Sequence, residues 1–231
     1  MRDHNLDMKI PVHDLRRKAR KQVQARWPAL IASLATGVLF YAMPRTLIVG
    51  PDWLLFVVVA ALMIPTSLAH RTGRVALNAI FGYSVLVVIT LAVLSSLILL
   101  ILRLPAHKET PVELLRAAAA LWVANLLVFA SWYWHLDGGG PNERDKQGVH
   151  TDGAFLFPQM MMDPERRREM GEDQWSPGFV DYLFLAFNTS TAFSPTDVPV
   201  LSRWAKVMMI VQSLISLGTV VLLAARAVNI L

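Results

Sequence analysis

From Val75 to Leu102 the chain carries no charged residue. About 20 apolar helical residues cross the roughly 30 Å hydrocarbon core of a bilayer, so this run is longer than a membrane span requires. It is predicted to cross at a tilt. Other long apolar stretches flank it, and charge is concentrated between them. Soluble domains are typically about 25% charged; this 231-residue chain is 17% charged and 55% hydrophobic, with a mean hydropathy of +0.45. The pattern predicts an all-α, polytopic transmembrane bundle, with the lipid bilayer as its first partner.

There is no cysteine, which excludes disulfides, zinc–thiolate sites and iron–sulfur ligation. The net charge of +5 is unevenly placed, and much of it lies in "HDLRRKARKQVQARW" (His13–Trp27). A basic flank directly before an apolar run is a topology signal and places the amino terminus in the cytoplasm. It is read in that way and not as a nucleic-acid arm. No small-x-small cleavage site follows the apolar run, so the segment is expected to be retained.

The organisation follows from the runs. Residues 1–26 form a basic tail and 27–135 hold four transmembrane helices: Trp27 to about Leu47, Trp53 to about Leu68, Val75 to about Leu102, and about Leu114 to Trp134. Thr110-Pro111-Val112-Glu113 opens the fourth with a Thr cap, Pro at the first helical position and Glu at the third. Trp132-Tyr133-Trp134 closes it as an aromatic belt. Residues 136–177 are a soluble loop with one short helix around Pro164–Met170, and this loop is the surface through which a protein partner would bind. Residues 178–231 hold a half-length apolar segment, a polar turn and a last span, Trp204–Val228. The expected total is five spans and one half-helix, in a cell membrane of bacterial inner-membrane type.

The stretch "FVDYLFLAFNTSTAFSPTDVP" (Phe179–Pro199) is too short to span before it turns polar. Two readings fit: a re-entrant half-helix, which requires protein or water around its irregular end, or an amphipathic helix lying on the surface. No nucleophile elbow, HExxH, glycine-rich phosphate loop or intramembrane carboxylate pair is present, so a non-enzymatic protein without a cofactor is expected. Two H-x-D pairs, His135-x-Asp137 and His150-x-Asp152, carry suitable metal ligands. That spacing is common, and no metal site is assigned. Polar residues within the spans, among them Thr90, Asn125, Gln212, Ser213 and Ser216, are read as helix-packing contacts.

The carboxyl-terminal part, about Leu114–Leu231, resembles the pore module of the potassium-channel superfamily: outer helix, pore helix, filter, inner helix. Against the filter pattern T-x-T-T-V-G-Y-G-D, the chain has Thr189-Ser190-Thr191-Ala192-Phe193-Ser194-Pro195-Thr196-Asp197 and keeps Thr189, Thr191 and Asp197. "DYLFLAF" (Asp181–Phe187) resembles the aromatic pore helix. Gly218 stands where such inner helices carry a hinge glycine. The chain is also similar to an uncharacterised group of bacterial membrane proteins that share "FLFPQM", "TAFSPTD" and "AARAVNIL". Both filter glycines are absent, with Ser194 and Thr196 in their places, and Pro195 fixes its own φ. Either the pore passes something else or the module has become a closed structural element.

The resemblance implies an ion-channel-like pore loop and a homo-oligomer, a tetramer if channel-like. The alternatives are a non-conducting interaction protein and a small-solute transporter with a broken helix. The half-helix leaves carbonyls without partners at its carboxyl end. The hydroxyls of Thr189, Thr191, Ser194 and Thr196 are the nearest expected donors. Asp197 is expected either to pair with Arg203 or Lys206, or to cap the last helix.

Overall fold

The computed structural model describes residues 26–103, 110–147, 150, 152–172, 175–192 and 197–228. Nine α-helices are seen among these residues, and the sole strand-like element is an antiparallel bridge between Phe155 and Val200. In order they are α1 (Trp27–Leu39), α2 (Leu54–Arg71), α3 (Val75–Arg103), α4 (Pro111–Leu136), α5 (Pro141–Gln147), α6 (Pro158–Met161), α7 (Pro164–Glu169), α8 (Phe179–Thr191) and α9 (Arg203–Val228). The protein is all-α and a membrane protein: three helices among the described residues, corresponding to α3, α4 and α9, are long and apolar enough to cross a bilayer.

Five such helices are expected from the apolar runs, and the difference lies in the first two. The first was expected to continue to Leu47, but α1 ends at Leu39 and tightens into a 3₁₀ turn over Phe40–Ala42. Pro44 is the cause. It disfavours helical geometry at the residue before it, and Met43 is extended at φ −95°, ψ 146°. The apolar helical part of α2 is also short, Leu54–Ala69. It closes against α3 through a glycine-terminated cap. Gly73 has φ +68°, and the Arg74 N–H reaches the Ala69 carbonyl at 2.9 Å.

The start of α4 follows its sequence signature. The Thr110 hydroxyl accepts from the Glu113 N–H at 3.3 Å, and the Glu113 carboxylate accepts from the Thr110 N–H at 2.9 Å. α4 is the hub of the bundle and packs against α1, α3, α8 and α9. Buried Ala117, Ala118, Ala120, Ala124 and Ala130 let those neighbours approach its backbone closely. Trp132-Tyr133-Trp134 is not a lipid-facing belt. Tyr133 and Trp134 are buried, and Trp132 Nε1 donates to Thr90 Oγ1 at 2.9 Å.

The loop after α4 is more structured than its composition suggests. α7 lies where a short helix was expected, while α5 and α6 were not foreseen. Both start on a proline, whose missing N–H costs nothing at a first helical position. Two aromatic rings pin the loop to the bundle. Phe155 packs edge-on against Tyr133, Tyr182 and Trp204, with centroids 5.1, 6.2 and 6.0 Å away. Phe157 meets Tyr182 at 5.5 Å and Trp175 at 5.4 Å. The Leu156 N–H donates to the Pro199 carbonyl and the Leu201 N–H to the Ala154 carbonyl. The segment leading into α9 is thereby stitched to the loop.

Candidate functional site

α8 is a half-length helix whose carboxyl end lies beside the middle of α9. Buried Tyr182, Leu185, Ala186, Thr189 and Ser190 form its inner face, while Val180, Phe184 and Phe187 are exposed. Its first turn is closed by Asp181, whose carboxylate accepts from the Gly178 N–H at 2.7 Å. The chemistry gathers at the other end. The Gln212 side-chain amide donates to the Ala186 carbonyl at 2.7 Å and to Ser190 Oγ at 2.8 Å. Its carbonyl oxygen accepts from the Tyr133 hydroxyl at 2.6 Å. Ser213 Oγ donates to the Thr189 carbonyl at 3.3 Å, and Ser216 Oγ to the Ser190 carbonyl at 2.7 Å. Trp122 Nε1 then donates to Ser216 Oγ at 3.0 Å, and Asn125 Nδ2 to the Gln212 backbone carbonyl at 3.3 Å.

Of the four expected donors, Ser194 and Thr196 lie outside the described residues. The hydroxyls of Thr189 and Thr191 bond backward, to the Leu185 and Phe187 carbonyls of their own helix. The last-turn carbonyls of Thr189 and Ser190 are met from α9 instead. A hydroxyl on the final turn of a helix reaches the preceding turn more easily than the carbonyls ahead of it. A facing helix can present donors end-on. Gln212 and Ser216 stand one turn apart in the mainly apolar middle of α9, and that i, i+4 spacing is the signal that could have found them.

Thr191 and Ala192 are exposed, and Phe193, Ser194, Pro195 and Thr196 lie outside the described residues. Asp197, Arg203 and Lys206 are all exposed, so Asp197 is not a buried acid. The cap of α9 is Ser202, whose hydroxyl accepts from the Ala205 N–H at 3.3 Å. Gly218 lies within the uninterrupted α9, and a Cβ built there would meet nothing within 4 Å. No packing demand explains a glycine at that position.

A second polar cluster sits where the loop meets the bundle. Asp137 is fully buried. Its Oδ1 accepts from the Ala154 N–H at 2.5 Å, and its Oδ2 accepts from the Tyr182 hydroxyl at 2.7 Å and lies 3.4 Å from His150 Nε2. The Arg144 guanidinium donates to the Asp137 backbone carbonyl and lies 5.3 Å from the Tyr182 ring centre and 5.9 Å from that of Trp134. Burial pushes the Arg144 pKa down, and Tyr182, Asp137 and Asp145 oppose that shift. Two glycines make room: a Cβ on Gly138 would come within 2.9 Å of His150 Cε1, and one on Gly153 within 2.7 Å of His150 Nε2. Gly138 also has φ +56°, a conformation that side chains resist.

The two H-x-D pairs are thus divided. Asp137 of one meets His150 of the other, His135 Nδ1 bonds to the Ser131 carbonyl at 2.9 Å, and Asp152 is exposed. Among the described residues no group of three His, Cys, Asp or Glu side chains could hold a metal ion. With Asp137 and His150 both closed to solvent, the cluster fastens the loop and offers a substrate no access. Comparison with known proteins found no matching family model, curated protein or solved structure. The likeness to a pore module rests on the residues quoted above.

Proposed function

We propose that this chain is a non-conducting, multi-pass membrane protein built around a re-entrant, pore-loop-like hairpin, and that it acts by presenting its 136–177 loop to a protein partner. The observation that carries this reading is Gln212. Its amide, with Ser213 and Ser216, meets the α8 carbonyls of Ala186, Thr189 and Ser190 from within a single chain. A selective filter uses glycines where Ser194 and Thr196 stand, and the last-turn carbonyls of α8 are held by side chains of the same chain, so that the end of the half-helix is met by protein. The re-entrant path is supported by level: the end of α8 meets α9 about halfway along it.

The loop has the matching division of labour. Phe155 and Phe157 anchor it, while Met161, Glu165, Arg166, Arg168 and Met170 are exposed. A short, charged, Met-flanked helix held by aromatic anchors suits partner binding better than an unanchored tail.

A second reading is a channel-like assembly of several copies. It is favoured by the exposed apolar faces of α8 (Val180, Phe184, Phe187) and α9 (Ile210, Leu214, Val221), which suit lipid or further copies equally. Flux measurement separates the two. The purified full-length chain in liposomes is expected to pass neither potassium, sodium nor chloride above empty vesicles. Selective flux from wild-type protein, reduced by substitution within 193–197, would overturn the first reading and support the second.

A further inference from the structure

A cavity of about 260 Å³ lies between the loop-side ends of α1, α2, α3 and α4. It plays no part in the α8 network. Its lining is polar at the loop end, with Arg26, Asn78 and His135, and apolar further in, with Leu30, Met63 and Leu86. Two groups in this wall have hydrogen-bonding capacity to spare. His135 Nδ1 sits 2.9 Å from the Ser131 carbonyl. A carbonyl only accepts, so Nδ1 carries the proton, and Nε2 of the neutral ring is an acceptor. Gly82 leaves space beside that nitrogen: a Cβ there would come within 3.3 Å of Nε2. Arg26 supplies the opposite polarity. Its Nη2 pairs with Asp145 at 3.0 Å, while its Nε–H is buried without a partner. A buried donor without a partner is destabilising by about 1–3 kcal/mol unless something fills the role.

The cavity is also not closed toward the bilayer. An open groove on α2, lined by Met63, Ile64, Ser67 and Leu68, shares Met63 and Ser67 with it. Ile64 and Leu68 are exposed apolar side chains on the short apolar helix α2. An occupant can therefore have a polar head at Arg26 and His135 and an apolar body leading out over α2.

We propose that this cavity binds an amphiphile from the bilayer whose uncharged head carries a hydroxyl and a second oxygen. The hydroxyl donates to His135 Nε2, and the second oxygen accepts from Arg26 Nε–H. An uncharged head follows from the charge balance, because Arg26 is the one formal charge in the lining and Asp145 already neutralises it. Ligand sites typically enclose about 300–1,000 Å³; this one is slightly smaller, which suits a head group and the first part of a chain, with the remainder in the groove. Glycerides and alkylated hydroquinones share this chemistry.

The test uses the full-length chain in detergent, titrated separately with dioleoylglycerol, with decyl-hydroquinone kept reduced, and with dioleoyl phosphatidic acid as the anionic control. Binding is read by thermal shift and by native mass spectrometry. Saturable binding of one or both neutral amphiphiles is expected, at least about tenfold tighter than phosphatidic acid, and the arm that saturates identifies the source. His135→Phe keeps a flat ring, removes the acceptor and should weaken binding about tenfold. Met63→Trp blocks the apolar exit without touching the polar end and should do the same, so the site can be challenged from either side. Binding of phosphatidic acid alone, no saturable binding to wild-type protein, or neutral binding unchanged in both variants would overturn the proposal.

Discussion

Two buried polar clusters in this protein solve the same problem with different chemistry. At the end of α8 every participant is a neutral amide, hydroxyl, indole or carbonyl. Where the loop meets the bundle, the cluster is built on Asp137 and Arg144, with aromatic rings and a histidine around them. The difference follows depth. A charge far from water is strongly disfavoured, whereas neutral groups need only partners. The network halfway along α9 therefore carries none, and the cluster at the outer end of α4 can hold a carboxylate because two hydrogen-bond donors, a histidine and a guanidinium surround it. Disturbing the two clusters should then have unequal consequences.

The largest effect is expected at Asp137. Replacement by Ala leaves the Tyr182 hydroxyl and the Ala154 N–H without their acceptor and removes the carboxylate that offsets the buried Arg144 charge, and losing one member of a buried charged cluster costs about 3–5 kcal/mol. Folded yield in mild detergent should fall sharply for Asp137→Ala and less for Asp137→Asn, which keeps one carbonyl oxygen. Equal yields for both variants and the parent would mean that charge is incidental to this cluster. Gly153→Ala sharpens the same point. Its Cβ would enter the 2.7 Å space beside His150 and should destabilise by about 1–3 kcal/mol, the usual range for overpacking, measured as the midpoint of unfolding in denaturing detergent.

The neutral network should respond more mildly and show strong coupling. Gln212→Leu leaves the Tyr133 hydroxyl and the Ser190 hydroxyl short of partners, a loss of about 1–3 kcal/mol. Tyr133→Phe in the same chain removes one of those orphans, so the double variant should lose less than the sum of the two single changes. A double-mutant cycle measures that difference directly. Strict additivity would show that the two side chains do not act as a unit.

Much of this architecture is legible in the sequence, for identifiable reasons. α3, α4 and α9 announce themselves by uninterrupted apolar length, and the Thr110–Glu113 box marks the start of α4 to the residue. α8 is evident from its shortness. What the sequence conceals is which side chains face one another. Gln212 and Ser216 look like ordinary packing residues until α8 is laid beside α9, and Trp132-Tyr133-Trp134 has the composition of a lipid belt although Tyr133 and Trp134 point inward. Asp137 and His150 are divided between two superficially alike motifs, and only the chain reversal through three positive-φ glycines, Gly138–Gly140, brings them together. Long-range pairing of this kind leaves no local periodicity.

The smallest effect is expected at Gly218, which bears on the pore-module likeness. α9 runs through it without a break, and a Cβ there has free space. Gly218→Ala should be neutral or stabilising by up to about 1 kcal/mol, the helix-propensity difference between the two residues. A variant destabilised in the same denaturation assay would point to a bend at this glycine in the working protein.

The re-entrant path of α8 is tested most directly by labelling. The chain has no native cysteine, so single-cysteine variants need no altered background. Met170 before the hairpin and Leu201 after it are both exposed. Met170→Cys and Leu201→Cys, in oriented membrane vesicles treated with an impermeant maleimide, should be modified from the same face. Modification of the two positions from opposite faces would mean that Phe179–Pro199 crosses the bilayer, and would contradict the account.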